Sequence, residues 1–198
     1  MRTSKRFFAS RCVVTVLLAA SFAAAQSPPP KLDVPYLPTT EEAVRAMLKL
    51  ADVKSSDVVY DLGCGDGRIV VAAAKAFGAR GVGIDIDPAR IAEANANAKK
   101  AGVEKLVRLE EADLFQADIH QASVVTLFLL SSVNLKLRPK LLADLKPGTR
   151  IVSNTFDMGD WQPAKELDLG DSDSGDNYFS RKLFMWIVPE RSGANKKK

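Results

Sequence analysis

Short, continuous apolar runs alternate along the chain with stretches of helical spacing. The first run, Val58-Val59-Tyr60, reads as a buried strand ending on Asp61. Arg80 to Asp85, built on Gly81-Val82-Gly83-Ile84, reads as a second strand and Val107 to Glu111 as a third. Ser123 to Leu130 (SVVTLFLL) is a fourth, apolar on both faces and therefore central, and Arg150 to Asn154 is a fifth. Between them the period changes. Val44, Met47, Leu48 and Ala51 predict a helix from about Thr40 to Ala51, with Thr39 and Glu42 as its capping box. Ile69 opens a helix that runs to about Phe77. Asp87-Pro88 begins another in the order N-cap then proline, and this one runs to about Ala101. A last helix spans Asn134 to Leu145, where Pro139 either delays its start or kinks it.

Strands alternating with helices predict an α/β fold: a mostly parallel sheet with helices on both faces. The end of the chain breaks the alternation. Glu166–Leu169 and Lys182–Val188 read as an antiparallel C-terminal hairpin that closes one edge of the sheet. The acidic stretch between them, GDSDSGDNYFS, reads as a solvated turn. Its glycine is misplaced for a calcium loop, and no glutamate follows at the required distance.

Composition narrows the picture. The chain has 198 residues, 46% of them apolar, which suits one globular domain. Basic residues outnumber acidic ones 28 to 24, but Arg2, Lys5, Arg6 and Arg11 lie in the first 25 residues, which hold no acid. The remainder is balanced, so nothing in the charge points to nucleic acid. Residues 1–25 have the anatomy of an export signal: a basic start, an apolar run from Cys12 to Ala20 and Ala23-Ala24-Ala25 before Gln26. That run is short for a membrane span. RTSKRFFASR, arginine-bearing and acid-free, fits a mitochondrial presequence as the alternative. The organisation expected is a targeting segment over 1–25, a Pro-rich linker over 26–35, a domain over 36–190 and a basic tail over 191–198, without a stable membrane span after the targeting segment and as a monomer. Cys64 is then the only cysteine and His120 the only histidine, so neither a disulfide nor a His/Cys metal site is expected.

The chemistry concentrates in VVYDLGCGDGRIVVAAA, residues 58–74. A strand that turns into a helix through Gly63, Gly65 and Gly67 brings bare backbone close to a ligand. Dinucleotide folds place their third glycine where Arg68 stands. Asp61 is a poor neighbour for a pyrophosphate and a good one for an ammonium group. The first three strands also end on, or just before, Asp61, Asp85 and Asp113. Ligands of open parallel sheets bind beyond those ends. An amino group would sit by Asp61, a ribose diol would donate to Asp85, and an adenine amino group would donate to Asp113. Asp85 lies 22 residues past Gly63, close to the spacing of a ribose-binding acid, and Asp87 as N-cap leaves it free for a ligand.

The glycine turn resembles motif I of the class I S-adenosylmethionine-dependent methyltransferases. VVYDLGCGDGRIVVAAAKAFGARGVGIDID, EADLF, VVTLFLLSSVNLKLRPKLLADLKPGTRIVS and FDMGDW are together similar to a small class I family. It includes the ATP-synthase c-subunit lysine methyltransferases and many bacterial relatives. The similarity runs from about Tyr36 to Val188. It implies a Rossmann-like sheet of seven strands, S-adenosyl-L-methionine as cofactor and methyl transfer to a protein lysine amine. On that basis Gly63 and Gly65 pass under the methionine part, and Ile86 and Leu114 flank the adenine. Tyr36-Leu37-Pro38-Thr39 resembles a Tyr-x-x-Thr segment that covers the cofactor in the non-SET nucleosomal lysine methyltransferases; Thr39 has the capping box as its other reading. Ser131-Ser132 stands where relatives carry proline, on the stretch that faces the acceptor. Asp157 and Asp160, with Phe156 and Trp161 as walls, are weak candidates to border the acceptor channel. The rival readings are a small-molecule O- or N-methyltransferase and, outside that class, a non-catalytic cofactor-binding module or a dinucleotide binder. An exported enzyme would meet little S-adenosylmethionine, a conflict that a mitochondrial address removes.

Overall fold

The computed structural model describes residues 36–170 and 182–191. Its elements in chain order are α1 (Glu41–Leu50), β1 (Val58–Leu62), α2 (Arg68–Phe77), β2 (Arg80–Asp85), α3 (Pro88–Lys100), β3 (Val107–Glu111), β4 (Val124–Leu127), α4 (Ser131–Asp144), β5 (Arg150–Asn154), β6 (Lys165–Asp168) and β7 (Lys182–Ile187). β1 is buried along its whole length because helices cover both faces of the sheet. The seven strands of the described residues run in the order β3-β2-β1-β4-β5-β7-β6. The first five are parallel, and β7 pairs antiparallel with both β5 and β6. This is the expected α/β architecture with its C-terminal hairpin at one edge.

Strand alternation sends side chains into two cores. Tyr60, Val125, Ile151 and Trp186 pack on one face with Leu137 and Leu141 of α4. Val59, Val124 and Val152 pack on the other with Met47 and Leu48 of α1 and Ile69 and Ala73 of α2. The strand order reverses between β1 and β4, and the crevice beyond their carboxyl ends is the place such sheets bind ligands.

Several boundaries differ from the pattern-based expectation: β1 runs on to Leu62, α2 opens at Arg68, β6 spans Lys165–Asp168 and β7 ends at Ile187. Three further differences have a physical reason. Thr40, not Thr39, caps α1, its Oγ1 accepting from the Ala43 amide at 3.2 Å. β4 ends at Leu127, because Phe128 and Leu129 leave the sheet to line the crevice. α4 starts at Ser131 and carries Pro139 in its interior. A mid-helix proline costs about 3 kcal/mol; burying Leu137 and Leu141 on either side of it offsets that cost. The expected targeting segment, the linker, the basic tail after Arg191 and the acidic turn after Gly170 lie outside the described residues. Among the described residues no helix is long and apolar enough to cross a membrane.

Candidate active site

The crevice at the reversal point encloses about 1000 Å³, counting its open mouth, and brings every sequence-predicted cofactor residue except Gly65 onto its lining. Tyr36, Thr39, Asp61, Gly63, Asp85, Ile86, Asp113 and Leu114 all face it. Gly65 lies beneath, with the Tyr36 ring pressed on it: a Cβ there would come 2.3 Å from Tyr36 Cε2, and its φ of +51° disfavours any side chain. Gly67 lets α3 approach, since a Cβ would meet Ala94 Cβ at 2.9 Å.

Asp61 is the most unusual of these residues. It is buried, and its Oδ1 accepts from Thr126 Oγ1 at 2.7 Å. Thr126 is its direct partner on the neighbouring strand β4. Oδ2 accepts no hydrogen bond among the described residues. Burial pushes the carboxyl up to about 7, against the pull of the Thr126 hydroxyl and with help from Asp85 and Asp66. An unbalanced buried carboxylate beside a cavity asks for a cation.

Asp85 is less free than its sequence position suggests. Asp87 is indeed the N-cap of α3, accepting from the Ala89 amide at 2.8 Å. Yet Asp85 Oδ2 accepts from the Gly65 amide at 2.8 Å and Oδ1 from the Asp87 amide at 3.0 Å. Each oxygen keeps a second lone pair, so Asp85 both braces the glycine turn and presents oriented acceptors to a diol. Asp113 is exposed and closes a local turn by accepting from the Phe115 amide at 2.8 Å, while still edging the crevice. Ile86 is exposed, and Leu114 is half-buried. The move of the cap to Thr40 removes the capping reading of Thr39, which is buried and lines the crevice, its hydroxyl without a partner among the described residues.

The weak acceptor-side candidates go elsewhere. Asp157 Oδ1 accepts from the Gly159 amide at 3.0 Å, and exposed Asp160 pairs with Arg138. Neither lines the crevice. Phe156 does reach toward it, stacking on the crevice residue Phe128 with ring centroids 6.2 Å apart. Trp161 packs against Trp186 instead. Sequence reasoning missed Thr126, Phe128, Leu129, Arg68 and Arg90. Only Arg68 left a signal, as the residue that replaces the dinucleotide glycine.

The residues fit S-adenosylmethionine. A cradle that a Cβ would fill, an under-paired buried carboxylate and a strand-tip acid with oriented lone pairs match its backbone approach, its ammonium group and its ribose. Geometry of this kind is that of a class I S-adenosylmethionine-dependent methyltransferase, and comparison with known proteins agrees. Residues 61–165 match the ANTKMT methyltransferase domain, and the chain belongs to that family. It is 44% identical over 158 residues to a protein-lysine N-methyltransferase of Saccharolobus islandicus, covering 79% of this chain and 95% of that one. It is 35% identical to the mouse adenine nucleotide translocase lysine N-methyltransferase over 72% of this chain, spanning 62% of that relative's length. Among solved structures it resembles a Salinibacter ruber protein described as an RNA methyltransferase in complex with S-adenosyl-L-homocysteine. The identity is 49% and the TM-score 0.72, over 82% of this chain and 100% of that one. The enzyme is therefore a methyltransferase that uses S-adenosyl-L-methionine.

Proposed function

We propose that the enzyme methylates a lysine side-chain amine of a protein. The observation that carries this is the 44% identity to a protein-lysine N-methyltransferase over 95% of its length. Electrostatics point the same way. The crevice is lined by Asp61, Asp66, Asp85, Asp87 and Asp113 against Arg68 and Arg90, and Arg68 is already paired with Asp66. Such a lining suits the cationic cofactor and repels a polyanion such as RNA.

The cofactor supplies an already activated methyl group, so the chain's own work is to bind, align and keep water out. Asp61 would hold the ammonium of the amino-acid tail through Oδ2, while Thr126 fixes the carboxylate from the other side. The backbone at Gly63 and Gly65 passes under that tail. Asp85 would accept from the ribose diol and Asp113 from the adenine amino group, with Ile86 and Leu114 as its apolar neighbours. Tyr36 and Thr39 cover the tail. Leu129 and Val133 exclude water from the side facing β4 and α4. An amine must be neutral to attack. Asp157 and Asp160 are engaged in a turn and an ion pair, and neither is assigned to take the acceptor's proton.

The Salinibacter ruber neighbour, described as an RNA methyltransferase and 49% identical, favours RNA as a second acceptor class. Incubating the purified protein and methyl-labelled cofactor with a cell lysate separates the two. Protease-sensitive, RNase-resistant label that maps to methyl-lysine supports the proposal. RNase-sensitive label, or label only in small molecules, replaces it. Residues 1–25 serve in this reading as an address, export or mitochondrial; mass spectrometry of the mature N-terminus distinguishes cleavage after Ala25 from retention.

A further inference from the structure

Arg68, the residue that displaces the dinucleotide glycine, has no part in the roles above, yet its side chain is the hub of one end of the crevice. We propose that Arg68 is a positioning residue that straps Tyr36–Thr39 across the glycine turn and so closes the amino-acid end of the cofactor crevice. The inference rests on the cofactor assignment made above. The Arg68 guanidinium reaches in two directions. Nε and Nη2 donate to the two oxygens of Asp66 at 2.9 and 2.7 Å, a bidentate pair. Nη1 turns the other way and donates to the Thr39 carbonyl at 2.7 Å.

The clamp stands on fixed ground. Arg68 is the first residue of α2, and the Asp66 carbonyl is held by Asn97 Nδ2 of α3 at 3.0 Å. Burial works to raise the Asp66 carboxyl, but the Arg68 guanidinium outweighs it and holds the group below the usual carboxylate range. The strap itself has little else. Residues 36–39 belong to no helix or strand, and among the described residues their backbone makes one hydrogen bond, the one from Arg68. Its side chains add two supports. The Tyr36 ring lies on Gly65, with the Arg90 guanidinium 4.8 Å from its centroid, and Arg90 is steadied by Glu93 at 2.6 Å. Thr40 then ends the strap by capping α1. Lysine cannot replace this arrangement, because one ammonium does not span a bidentate carboxylate and a carbonyl in opposite directions.

The test uses Arg68→Met and Arg68→Lys in the full chain, with two readouts. Losing a charge-assisted hydrogen bond of this kind weakens S-adenosylhomocysteine binding by roughly ten- to a hundredfold in calorimetry. Backbone ¹⁵N order parameters of Leu37 and Thr39 in the ligand-free protein fall from about 0.85 to below about 0.6. Both variants behave alike, and far-UV circular dichroism is unchanged. Wild-type affinity in Arg68→Met, full rescue by lysine, or order parameters that stay high would each overturn the clamp. Should Arg68→Met fail to fold, Asp66→Asn severs the bidentate half and is expected to loosen the same two amides. If wild-type protein does not bind S-adenosylhomocysteine, the cofactor assignment falls, while the ligand-free order parameters still decide whether Arg68 holds the strap.

Discussion

The two halves of the crevice are built on opposite principles. Around the tips of β1 and β2 polar groups brace one another: Asp85 grips two backbone amides, Arg68 bridges Asp66 and Thr39, and Asn97 holds the turn from behind. Around the tips of β4 and β5 the structure carries tension instead. Asn134 is fully buried, and its Nδ2 points at Ser153 Oγ, the Phe156 carbonyl and the Asp157 carbonyl at 3.2–3.3 Å. Its Oδ1 has no partner among the described residues. Thr155, a β-branched residue, sits at φ +68°, a conformation that costs about 1–3 kcal/mol. A cofactor of fixed shape rewards a preorganised cradle. The other half holds no comparable network of braces.

The largest expected effect tests the braced half at its one deliberate imbalance. Asp61→Asn removes the partner of the cofactor's ammonium and weakens S-adenosylhomocysteine binding at pH 8 by at least about thirtyfold, the cost of unpairing a buried charge. The same change stabilises the ligand-free chain. A carboxyl pushed up to about 7 when folded, from 3.8, favours folding only in its protonated form; that contribution is full below about 4 and is lost as pH rises through 7. The melting advantage of Asp61→Asn therefore grows from nothing near pH 4 to as much as ~4 kcal/mol above pH 7. Wild-type affinity follows the matching rule, weakening about tenfold per pH unit below 7 as binding expels a proton from Asp61. A variant that is neither weaker in binding nor more stable at pH 8 would break the account of this half.

Two smaller changes sharpen the contrast. Gly65→Ala strains a left-handed position and drives a methyl into the Tyr36 ring, so it costs about 1–3 kcal/mol of stability and roughly tenfold in cofactor affinity. Asn134→Ala acts on the other half. It releases the loop carrying Phe156 and raises the acceptor KM several-fold, on the order of the 1–3 kcal/mol of a buried polar group losing its partners. Calorimetric affinity for S-adenosylhomocysteine stays at the wild-type value. If Asn134→Ala moved both quantities together, the two halves would be one unit.

The braced half was also the readable half. A carboxylate at the end of an apolar run, a glycine at alternate positions and an Asp-Pro pair are local signals, and Asp61, Asp85, Asp113, Gly65 and Asp87 could be placed from them. Thr126 could not, because it matters only through strand order: it lies opposite Asp61 on β4, 65 residues further along the chain. Neighbouring threonines defeated the capping box. Thr39 and Thr40 differ by one position, and only the helix geometry shows that Thr40 caps while Thr39 turns to the crevice. Helix α4 starts early because it needs no capping side chain: its N-cap is Leu130. In the strained half, Asn134 acts across 19 to 23 residues, on Ser153 of β5 and on the Phe156 and Asp157 carbonyls beyond it, and nothing local announces it.

The smallest effect belongs to the two acids that the motif FDMGDW places beyond β5. Position alone made them candidates for the acceptor channel, as it did for Asp61, Asp85 and Asp113. Residues beyond β1, β2 and β3 line the crevice, whereas neither acid beyond β5 does. Asp157 spends its side chain on the Gly159 amide, and exposed Asp160 spends its own on Arg138. A solvated ion pair on the rim adds little to either stability or binding. Asp160→Asn is expected to leave kcat/KM for a lysine-bearing acceptor within about twofold of wild type, and Asp157→Asn, which loosens one turn, within about threefold. Pre-steady-state measurement of the methyl-transfer step from pH 7 to 9 makes the check stringent, since a general base would imprint its own ionisation on that profile. Loss of a pH-dependent limb in either variant would return a carboxylate to the acceptor side and would end the claim that this half works without one.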